Sequence, residues 1–263
     1  MKVAMIGACG KMGRDIMRGI MEESDVEIVG AVDVSNEGID ISSLVGGEPR
    51  GVVVETDLAT MIETKKPEVV IDFTTPATVM KNIVVALEHQ VHIVVGTTGL
   101  TEENLTAVDK LAREKERVAF VVPNFALGAV LMMGFAAQAA KYFPNVEVIE
   151  LHHDQKMDAP SGTAVKTLEM MAVEREKIKQ GHPKEFEKIQ GARGGAYEGM
   201  RVHSVRLPGY VAHQEVLFGG RGQTLTIRHD SMNRDSFVPG VLLTLRSIGD
   251  LAAGLVYGLE NIL

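Results

Sequence analysis

Short apolar runs alternate with amphipathic stretches over the first 125 residues of the chain. The apolar runs predict strands at 2–6, 27–32, 69–73, 91–95 and 118–122. Helical spacing of apolar residues predicts helices at 11–22, 76–88 and 102–116, the last with Thr101 as its N-cap. Strands that are apolar on both faces and separated by helices are typical of a parallel sheet covered on both sides. The pattern therefore predicts a doubly wound α/β fold.

The pattern changes after residue 125. The helices and strands predicted beyond it lie, in chain order, at 128–143, 146–151, 161–179, 202–206, 210–218 and 224–229. The last three are alternating runs with only glycine and proline turns between them, which is typical of an antiparallel or mixed sheet. We therefore expect a second, central α+β domain, and we expect the tail from Pro239 onward to return to helix.

Composition and charge narrow the possible functions. The 263 residues carry 27 Lys and Arg against 35 Asp and Glu, and this net charge of −8 argues against a chain that mainly neutralises nucleic-acid phosphates. The single cysteine, Cys9, excludes an intramolecular disulfide and fits a reducing compartment. The apolar stretch at 241–259 contains Arg246 and Asp250, which favours a packed helix over a membrane span. We expect a cytoplasmic protein that binds neither nucleic acid nor a membrane.

A glycine-rich turn joins the first predicted strand to the first predicted helix. Its sequence, Gly7-Ala-Cys-Gly-Lys-Met-Gly13, lets the backbone approach a pyrophosphate at the open helix start. Asp33 ends the second predicted strand, where a carboxylate accepts hydrogen bonds from the hydroxyls of an adenosine ribose. This combination predicts a Rossmann-type dinucleotide-binding domain.

The choice between NADH and NADPH stays open at this point. Asp33 would repel a 2′-phosphate, and Val34 supplies no positive charge against that repulsion. Lys11 and Arg14 lie in or beside the glycine turn and could supply the charge. The predicted cofactor is therefore NADH or NADPH.

Three further turns follow strands at the carboxyl edge of the predicted sheet, where ligands bind in open parallel sheets. These turns are 72–75, which contains Phe73, then Gly96-Thr97-Thr98-Gly99, and finally Pro123-Asn124-Phe125. Because they end neighbouring strands beside the glycine turn, we expect them to contact the nicotinamide.

The densest group of polar residues lies between positions 150 and 164, where a predicted strand gives way to a predicted helix. It contains the imidazoles of His152 and His153, the ammonium group of Lys156, and the residues of a helix start, Ser161, Gly162 and Thr163. Ser161 is a candidate N-cap, and the amides that follow it would point at an anion. Together these groups suit a small substrate that carries carboxylates.

A metal site is a competing interpretation of the same group. Glu150, His152 and Asp154 share one face of a strand by its period of two, and such a trio can hold a divalent ion. Lys156 would oppose the ion electrostatically, and the Ser-Gly-Thr helix start favours an anion. No metal is therefore predicted.

These motifs resemble those of the dihydrodipicolinate reductase family, also called 4-hydroxy-tetrahydrodipicolinate reductases. The run Glu150-Leu-His-His-Asp-Gln-Lys-Met-Asp-Ala-Pro-Ser-Gly-Thr-Ala164 is similar to the family signature. The resemblance extends to the opening glycine turn, to Gly96-Thr-Thr-Gly99 and to Asn124-Phe125, and it covers essentially the whole chain.

The resemblance implies a domain order and a set of site residues. A dinucleotide-binding domain would comprise 1–126 and 234–263, around a substrate-binding and oligomerisation domain at 127–233. The implied dinucleotide contacts are Gly7, Ala8, Cys9, Gly10, Lys11, Met12, Asp33, Gly96, Thr97, Thr98, Val122, Pro123, Asn124 and Phe125. The implied substrate contacts are His153, Lys156, Gly162 and Thr163, with Ser161 beside them. His152 is implied as the acid–base residue and Lys156 as the proton donor.

The implied activity is the reduction of 4-hydroxy-tetrahydrodipicolinate by NADH or NADPH, with loss of water, to tetrahydrodipicolinate in the diaminopimelate route to lysine. The implied assembly is a homotetramer. Two alternatives stay open: another two-domain NAD(P)-dependent oxidoreductase acting on an amino acid or a polyol, and a non-catalytic redox sensor. Oxidation of such a substrate without activity on the dicarboxylate would favour the first, and cofactor binding without turnover would favour the second.

Overall fold

The chain folds into two compact units, as described by a computed structural model that covers all 263 residues. Unit 1 comprises Met1–Phe125 and Arg234–Leu263, and unit 2 comprises Ala126–Asn233. A membrane-spanning helix is absent, since none of the helices is both long enough and apolar enough to serve as one.

Twelve strands and eight α-helices make up the two units. The strands are β1 Lys2–Ile6, β2 Glu27–Val32, β3 Val54–Glu55, β4 Val69–Asp72, β5 His92–Val95, β6 Val118–Val121, β7 Asn145–His152, β8 Gly195–Tyr197, β9 Met200–Arg206, β10 Ala212–Gly220, β11 Gln223–Ser231 and β12 Gly254–Tyr257. The helices are α1 Lys11–Ile20, α2 Ser42–Val45, α3 Leu58–Lys65, α4 Val79–Glu88, α5 Glu102–Glu114, α6 Leu127–Ala140, α7 Gly162–Glu174 and α8 Val238–Ser247. Short 3-10 turns lie at Arg234–Phe237, Ile248–Asp250 and Leu259–Ile262.

Unit 1 is built on a parallel sheet of seven strands in the order β12-β6-β5-β4-β1-β2-β3. The chain winds outwards in both directions from the neighbours β1 and β4, so the predicted Rossmann-type, doubly wound fold is confirmed. Every residue of β4 and of β6 is buried, as expected for strands covered on both faces. Thr101 caps α5 as predicted, within a capping box that Asn104 completes.

Unit 2 contains a mixed sheet in the order β11-β10-β7-β9-β8. Only the β7–β9 pair is parallel, and the other neighbours are antiparallel, which confirms the predicted mixed sheet. Alternate residues of β7, among them Val146 and Val148, pack with Ala136 of α6 and Leu168 of α7 in the core of this unit. The same alternation directs Glu150 to the helix-covered face.

The prediction that the tail from Pro239 onward is helical is wrong beyond Ser247. The chain forms β12 instead, which pairs in parallel with β6 at the edge of the first sheet. Gly254 and Gly258 adopt φ angles of 136° and 95°, which a continuous right-handed helix does not accommodate. The apolar stretch is therefore divided between a helix and a strand.

The helix predicted at 161–179 ends earlier than expected, at Glu174. Arg175 turns extended, with φ −128° and ψ 153°, and its guanidinium donates to the backbone oxygens of Pro144 and Glu198 at 3.0 and 2.8 Å. These long-range bonds hold the extended residue after α7, and local amphipathic spacing does not encode them.

Candidate active site

A glycine loop, residues 7–13, runs from the end of β1 into the first turn of α1 at the carboxyl edge of the first sheet. Gly7 has a φ of +82°, and a Cβ atom there would lie 2.4 Å from the carbonyl oxygen of Phe73. A Cβ atom on Gly13 would lie 2.2 Å from the carbonyl oxygen of Gly7. Gly10 is the N-cap of α1, and the first helical turn contains no acidic residue. The backbone is thus closely folded, and the helix start is open to an anion.

Asp33, which follows β2, bonds the end of that strand to the glycine loop. Its Oδ2 accepts a hydrogen bond from the Cys9 amide at 2.8 Å. Its Oδ1 accepts from the amide and the hydroxyl of Ser35 at 3.1 and 2.9 Å. The neighbouring Val34 side chain is 95% exposed. A carboxylate is therefore fixed beside the loop at the position expected for a ribose contact.

Two cationic side chains accompany the glycine loop. Lys11 is exposed at the start of α1, and the buried Nε atom of Arg14 has no hydrogen-bond partner. A tight glycine backbone, an uncapped helix start and nearby cations together fit the diphosphate of a dinucleotide. The donor set of this edge therefore suits the predicted class of cofactor.

A buried polar cluster around Asp72 joins the end of β4 to the end of β5. Its Oδ1 accepts hydrogen bonds from the hydroxyls of Thr74 and Thr97 at 2.8 and 2.7 Å, and its Oδ2 accepts from Asn82 at 2.7 Å. The Thr97 hydroxyl in turn accepts from the Thr74 amide at 2.7 Å. The Thr97 hydroxyl is thus engaged in hydrogen bonds inside the protein, whereas Thr98 is exposed.

Aromatic rings hold the remaining turns of this edge together. A Cβ atom on Gly96 would lie 2.1 Å from the Phe73 ring, so the two turns are in close contact. The rings of Phe73 and Phe125 lie 5.6 Å apart between centroids and are tilted by 50°. The Val122 amide donates to the Val95 oxygen at 2.8 Å. The structure therefore brings the segments around residues 7, 73, 96 and 125 together at one edge of unit 1.

In unit 2, the fully buried carboxylate of Glu150 lies between His152 and Arg206. It accepts from Nδ1 of His152 at 2.5 Å, and it accepts two bonds from Arg206 at 2.8 Å each. Burial alone would raise the pKa of Glu150, but hydrogen bonds from His152, Arg206 and Ser204 outweigh it and lower the pKa to about 2. Since Glu150 already has a cationic partner, it is a poor candidate ligand for the alternative metal site.

A loop at 153–160 follows β7 and carries the predicted lysine. The Lys156 ammonium forms an ion pair of 2.6 Å with Asp158, and the lysine side chain as a whole is 22% exposed. The bond from Lys156 lowers the pKa of the Asp158 carboxyl. Nη2 of Arg206 donates to the backbone oxygen of Asp158 at 2.7 Å, and His153 is exposed. The ammonium group therefore already binds a carboxylate in this conformation.

The start of α7 follows directly. Ser161 is buried, its hydroxyl accepts from the Ala164 amide at 3.2 Å, and its own amide donates to Glu150 at 3.2 Å. The predicted N-cap is thus confirmed, and the Ser161 hydroxyl is engaged in capping. Gly162 is exposed in the first turn, and Thr163 follows it. His152, Lys156 and this helix start consequently belong to one end of β7.

Sequence reasoning missed Arg206 and the internal role of Asp72. Arg206 lies opposite His152 in the β7–β9 register, a pairing that no local motif encodes. For Asp72 a signal did exist, since a carboxylate ending an apolar strand beside two threonines requires hydrogen-bond donors once it is buried.

Comparison with known proteins shows the family of the chain. The family model described as "Dihydrodipicolinate reductase, N-terminus" matches residues 1–125, and the model described as "Dihydrodipicolinate reductase, C-terminus" matches residues 128–263. The 4-hydroxy-tetrahydrodipicolinate reductase of Listeria innocua is 55% identical over all of both chains. That of Moorella thermoacetica is 52% identical over 100% of this chain and 97% of its own.

Solved structures show the same relation. A dipicolinate-bound dihydrodipicolinate reductase from Paenisporosarcina sp. TG-14 superposes with a TM-score of 0.90 at 48% identity, over 100% of this chain and 99% of that one. An amine dehydrogenase from Mycobacterium smegmatis has a TM-score of 0.70 over 97% and 94% of the two chains, but at 15% identity it shows the fold alone.

The glycine loop, the Rossmann-type sheet and the second unit place the protein among the two-domain NAD(P)-dependent oxidoreductases. Within that class, the chain belongs to the dihydrodipicolinate reductase family.

Proposed function

We propose that this protein reduces 4-hydroxy-tetrahydrodipicolinate with NADH or NADPH and releases tetrahydrodipicolinate and water, in the diaminopimelate route to lysine. The observation that carries the proposal is the end of β7, where the loop with the Lys156–Asp158 ion pair leads into α7, whose first residue, Gly162, is exposed. Full-length relatives at 50–55% identity are named for this activity.

Unit 2 binds the dicarboxylate in this proposal. The substrate contacts are His153, Lys156, Ser161, Gly162 and Thr163. A substrate carboxylate replaces Asp158 as the partner of Lys156, and amides at the start of α7 receive negative charge. The Asp158 side chain is largely exposed, at 59%, so breaking its ion pair with Lys156 costs little.

Unit 1 binds the cofactor in this proposal. Its contacts are Gly7, Ala8, Cys9, Gly10, Lys11, Met12, Asp33, Phe73, Gly96, Thr97, Thr98, Val122, Pro123, Asn124 and Phe125. When bound, the reduced nicotinamide supplies a hydride. The amides of the glycine loop and of the α1 start would hold its diphosphate, and the Phe73–Phe125 contact would keep the neighbouring turns in place beside it.

Protons are handled by His152 and Lys156 in this proposal. The substrate loses its 4-hydroxyl as water and becomes a conjugated imine, carbon 4 accepts the hydride, and one of these two residues protonates the resulting enamine. Substrate, reduced cofactor and one proton thus give product, oxidised cofactor and water. Positioned acid–base groups contribute about 100- to 10,000-fold to the rate of such steps.

The assembly in this proposal is a cytoplasmic homotetramer formed through unit 2. The face of its sheet opposite α6 and α7 carries the aliphatic side chains of Ile149, Leu151, Val205 and Leu217, each only partly buried within one chain. A second copy of the chain would cover them, which supports self-association. The mass measured by light scattering or sedimentation tests this directly, and a monomer at working concentration would contradict it.

The experiment for the activity is a steady-state assay of the purified chain with both cofactors, on substrate made in situ by the preceding condensation reaction. We expect oxidation of NADH or NADPH that depends on this substrate. Oxidation of an amino acid or a polyol by NAD+ or NADP+ with no activity on the dicarboxylate, or cofactor binding without any turnover, would refute the proposal.

A further inference from the structure

The Glu150 carboxylate is the centre of a hydrogen-bonded group that reaches both acid–base residues of the proposed site. Glu150 binds Nδ1 of His152 and both Nη atoms of Arg206. The same guanidinium binds the backbone oxygen of Asp158, whose side chain forms the ion pair with Lys156. One buried group therefore connects the end of β7 with the loop that carries the ammonium.

These contacts determine where the proton lies on the His152 ring. An ionised carboxylate only accepts hydrogen bonds, so Nδ1 of His152 must be the donor to Glu150. Nε2 is then the ring nitrogen that can exchange a proton with a ligand. In many sites a carboxylate sets histidine tautomer and orientation in this way.

The elements that carry the group are two paired strands. Glu150 and His152 lie on β7, and Arg206 lies opposite His152 on the neighbouring β9. The side chains of Glu150, His152 and Arg206 are 0%, 15% and 18% exposed. Strands and burial together leave the His152 ring little freedom to turn.

We propose that Glu150 and Arg206 form a positioning pair, which fixes the tautomer and orientation of His152 and anchors the loop of Lys156. The inference rests on the proposed function, because it concerns the same site. Neither residue needs to touch the substrate, since they act through His152 and through the Asp158 backbone.

A matched control exists on the same strand. Glu147 also accepts from a histidine and an arginine, at 2.9 Å from His203 and 2.7 Å from Arg193. It lies on the opposite face of β7, because residues 147 and 150 differ by an odd number. It also lies near the start of the strand, away from the Lys156 loop that follows the strand's end. Removing its charge removes a similar Arg–Glu–His group away from the His152 and Lys156 site. Because Glu147 is paired with Leu217 on the proposed assembly face, its variant serves as the control once light scattering shows the wild-type mass.

The first measurement compares Glu150→Gln with Glu147→Gln in the full chain. We expect Glu150→Gln to lower kcat by about 10- to 100-fold while KM changes by less than about threefold, because a misoriented acid loses part of its effect. Glu147→Gln should keep both constants within about twofold of the wild-type values. Equal kcat values for the two variants would overturn the proposal.

A double variant separates positioning from stability. Replacing a buried ion pair by apolar side chains of similar volume is often neutral for stability. We therefore expect Glu150→Met with Arg206→Met to fold and still show the lowered kcat. Wild-type kcat in the folded double variant would show that the pair is only structural.

The tautomer is measured on the wild-type chain, so the proposal stays testable even if the variants fail to fold. Nitrogen-15 NMR of labelled histidine rings, with His152 assigned by His152→Asn, should find the neutral ring protonated at Nδ1. A proton on Nε2 would overturn the proposal. An inactive wild-type chain with the expected tautomer would refute the proposed function and leave the pairing intact.

Discussion

The side chain of Lys156 offers the most direct test of the proposed chemistry. Lys156→Ala removes the ammonium group and its ion pair of 2.6 Å with Asp158. Because Asp158 is largely exposed, the lost pair should cost less than about 1 kcal/mol of folding free energy. The variant should therefore fold normally, and changes in its kinetics will report on the site.

Two separate losses are expected from this substitution. A charge-assisted hydrogen bond to a substrate carboxylate contributes about 1.5–3 kcal/mol, which corresponds to a rise in KM of roughly 10- to 150-fold. Loss of a proton donor lowers kcat by about 100- to 10,000-fold. If His152 is the donor instead, only the KM effect should appear in full.

Lys156→Arg separates these roles. Arginine keeps the positive charge but does not release its proton in proteins. We expect this variant to retain substrate affinity within about tenfold and to lose kcat if Lys156 donates the proton. The assay is cofactor oxidation at 340 nm with substrate made in situ, checked by circular dichroism for folding.

The exposed Lys166 on α7 provides the control, and Lys166→Ala should behave as the wild-type chain. Near-normal kcat and KM in Lys156→Ala would refute the role assigned to the ammonium group. A comparable loss in Lys166→Ala would point to general electrostatics of unit 2 instead of a specific contact.

Three further expectations follow from the same geometry. Gly13→Ala introduces a Cβ atom 2.2 Å from a loop carbonyl and should weaken NADH or NADPH binding at least about tenfold by titration, whereas Gly249→Ala, with open space around its Cβ, should not. Thr97→Val removes a buried bond to Asp72 and should lower the free energy of unfolding by about 1–3 kcal/mol in guanidinium titrations, and an unchanged midpoint would contradict the buried cluster. Folding lowers the pKa of Glu150 from 4.5 to about 2, so the ionised carboxylate stabilises the fold fully above about pH 4.5 and loses this effect as the pH falls toward 2. The urea midpoint of the wild-type chain should therefore fall over this pH range by more than the midpoint of Glu150→Gln.

The sequence predicted unit 1 well where strands are continuous apolar runs between helices. The runs at 2–6 and 27–32 coincide with β1 and β2, whose buried residues, at 3–6 and 30–32, include no polar side chain. The sequence pattern did not predict the two-residue β3 and the three-residue β8, since so few residues show no periodicity. Short edge strands are defined by their neighbours, not by their own pattern.

The candidate site, likewise, could be predicted from the sequence only in part. Contiguous motifs such as the glycine loop and the run around His152 were visible because their function depends on local backbone geometry. The partner of Glu150 was not visible, since Arg206 is brought beside it by the pairing of β7 with β9. Likewise, the sequence marks Thr97 as an edge residue but does not show that its hydroxyl is bonded to Asp72.

The pairing of β12 with β6 has a consequence for biosynthesis. During translation β6 leaves the ribosome long before β12, and all of unit 2 is made in the interval. Until β12 arrives, β6 presents an unsatisfied row of backbone groups, the kind of surface that recruits foreign strands. Unit 2 is contiguous in sequence and can fold before unit 1 is complete. A premature stop codon within the tail would leave β6 without its partner strand and the chain prone to aggregation.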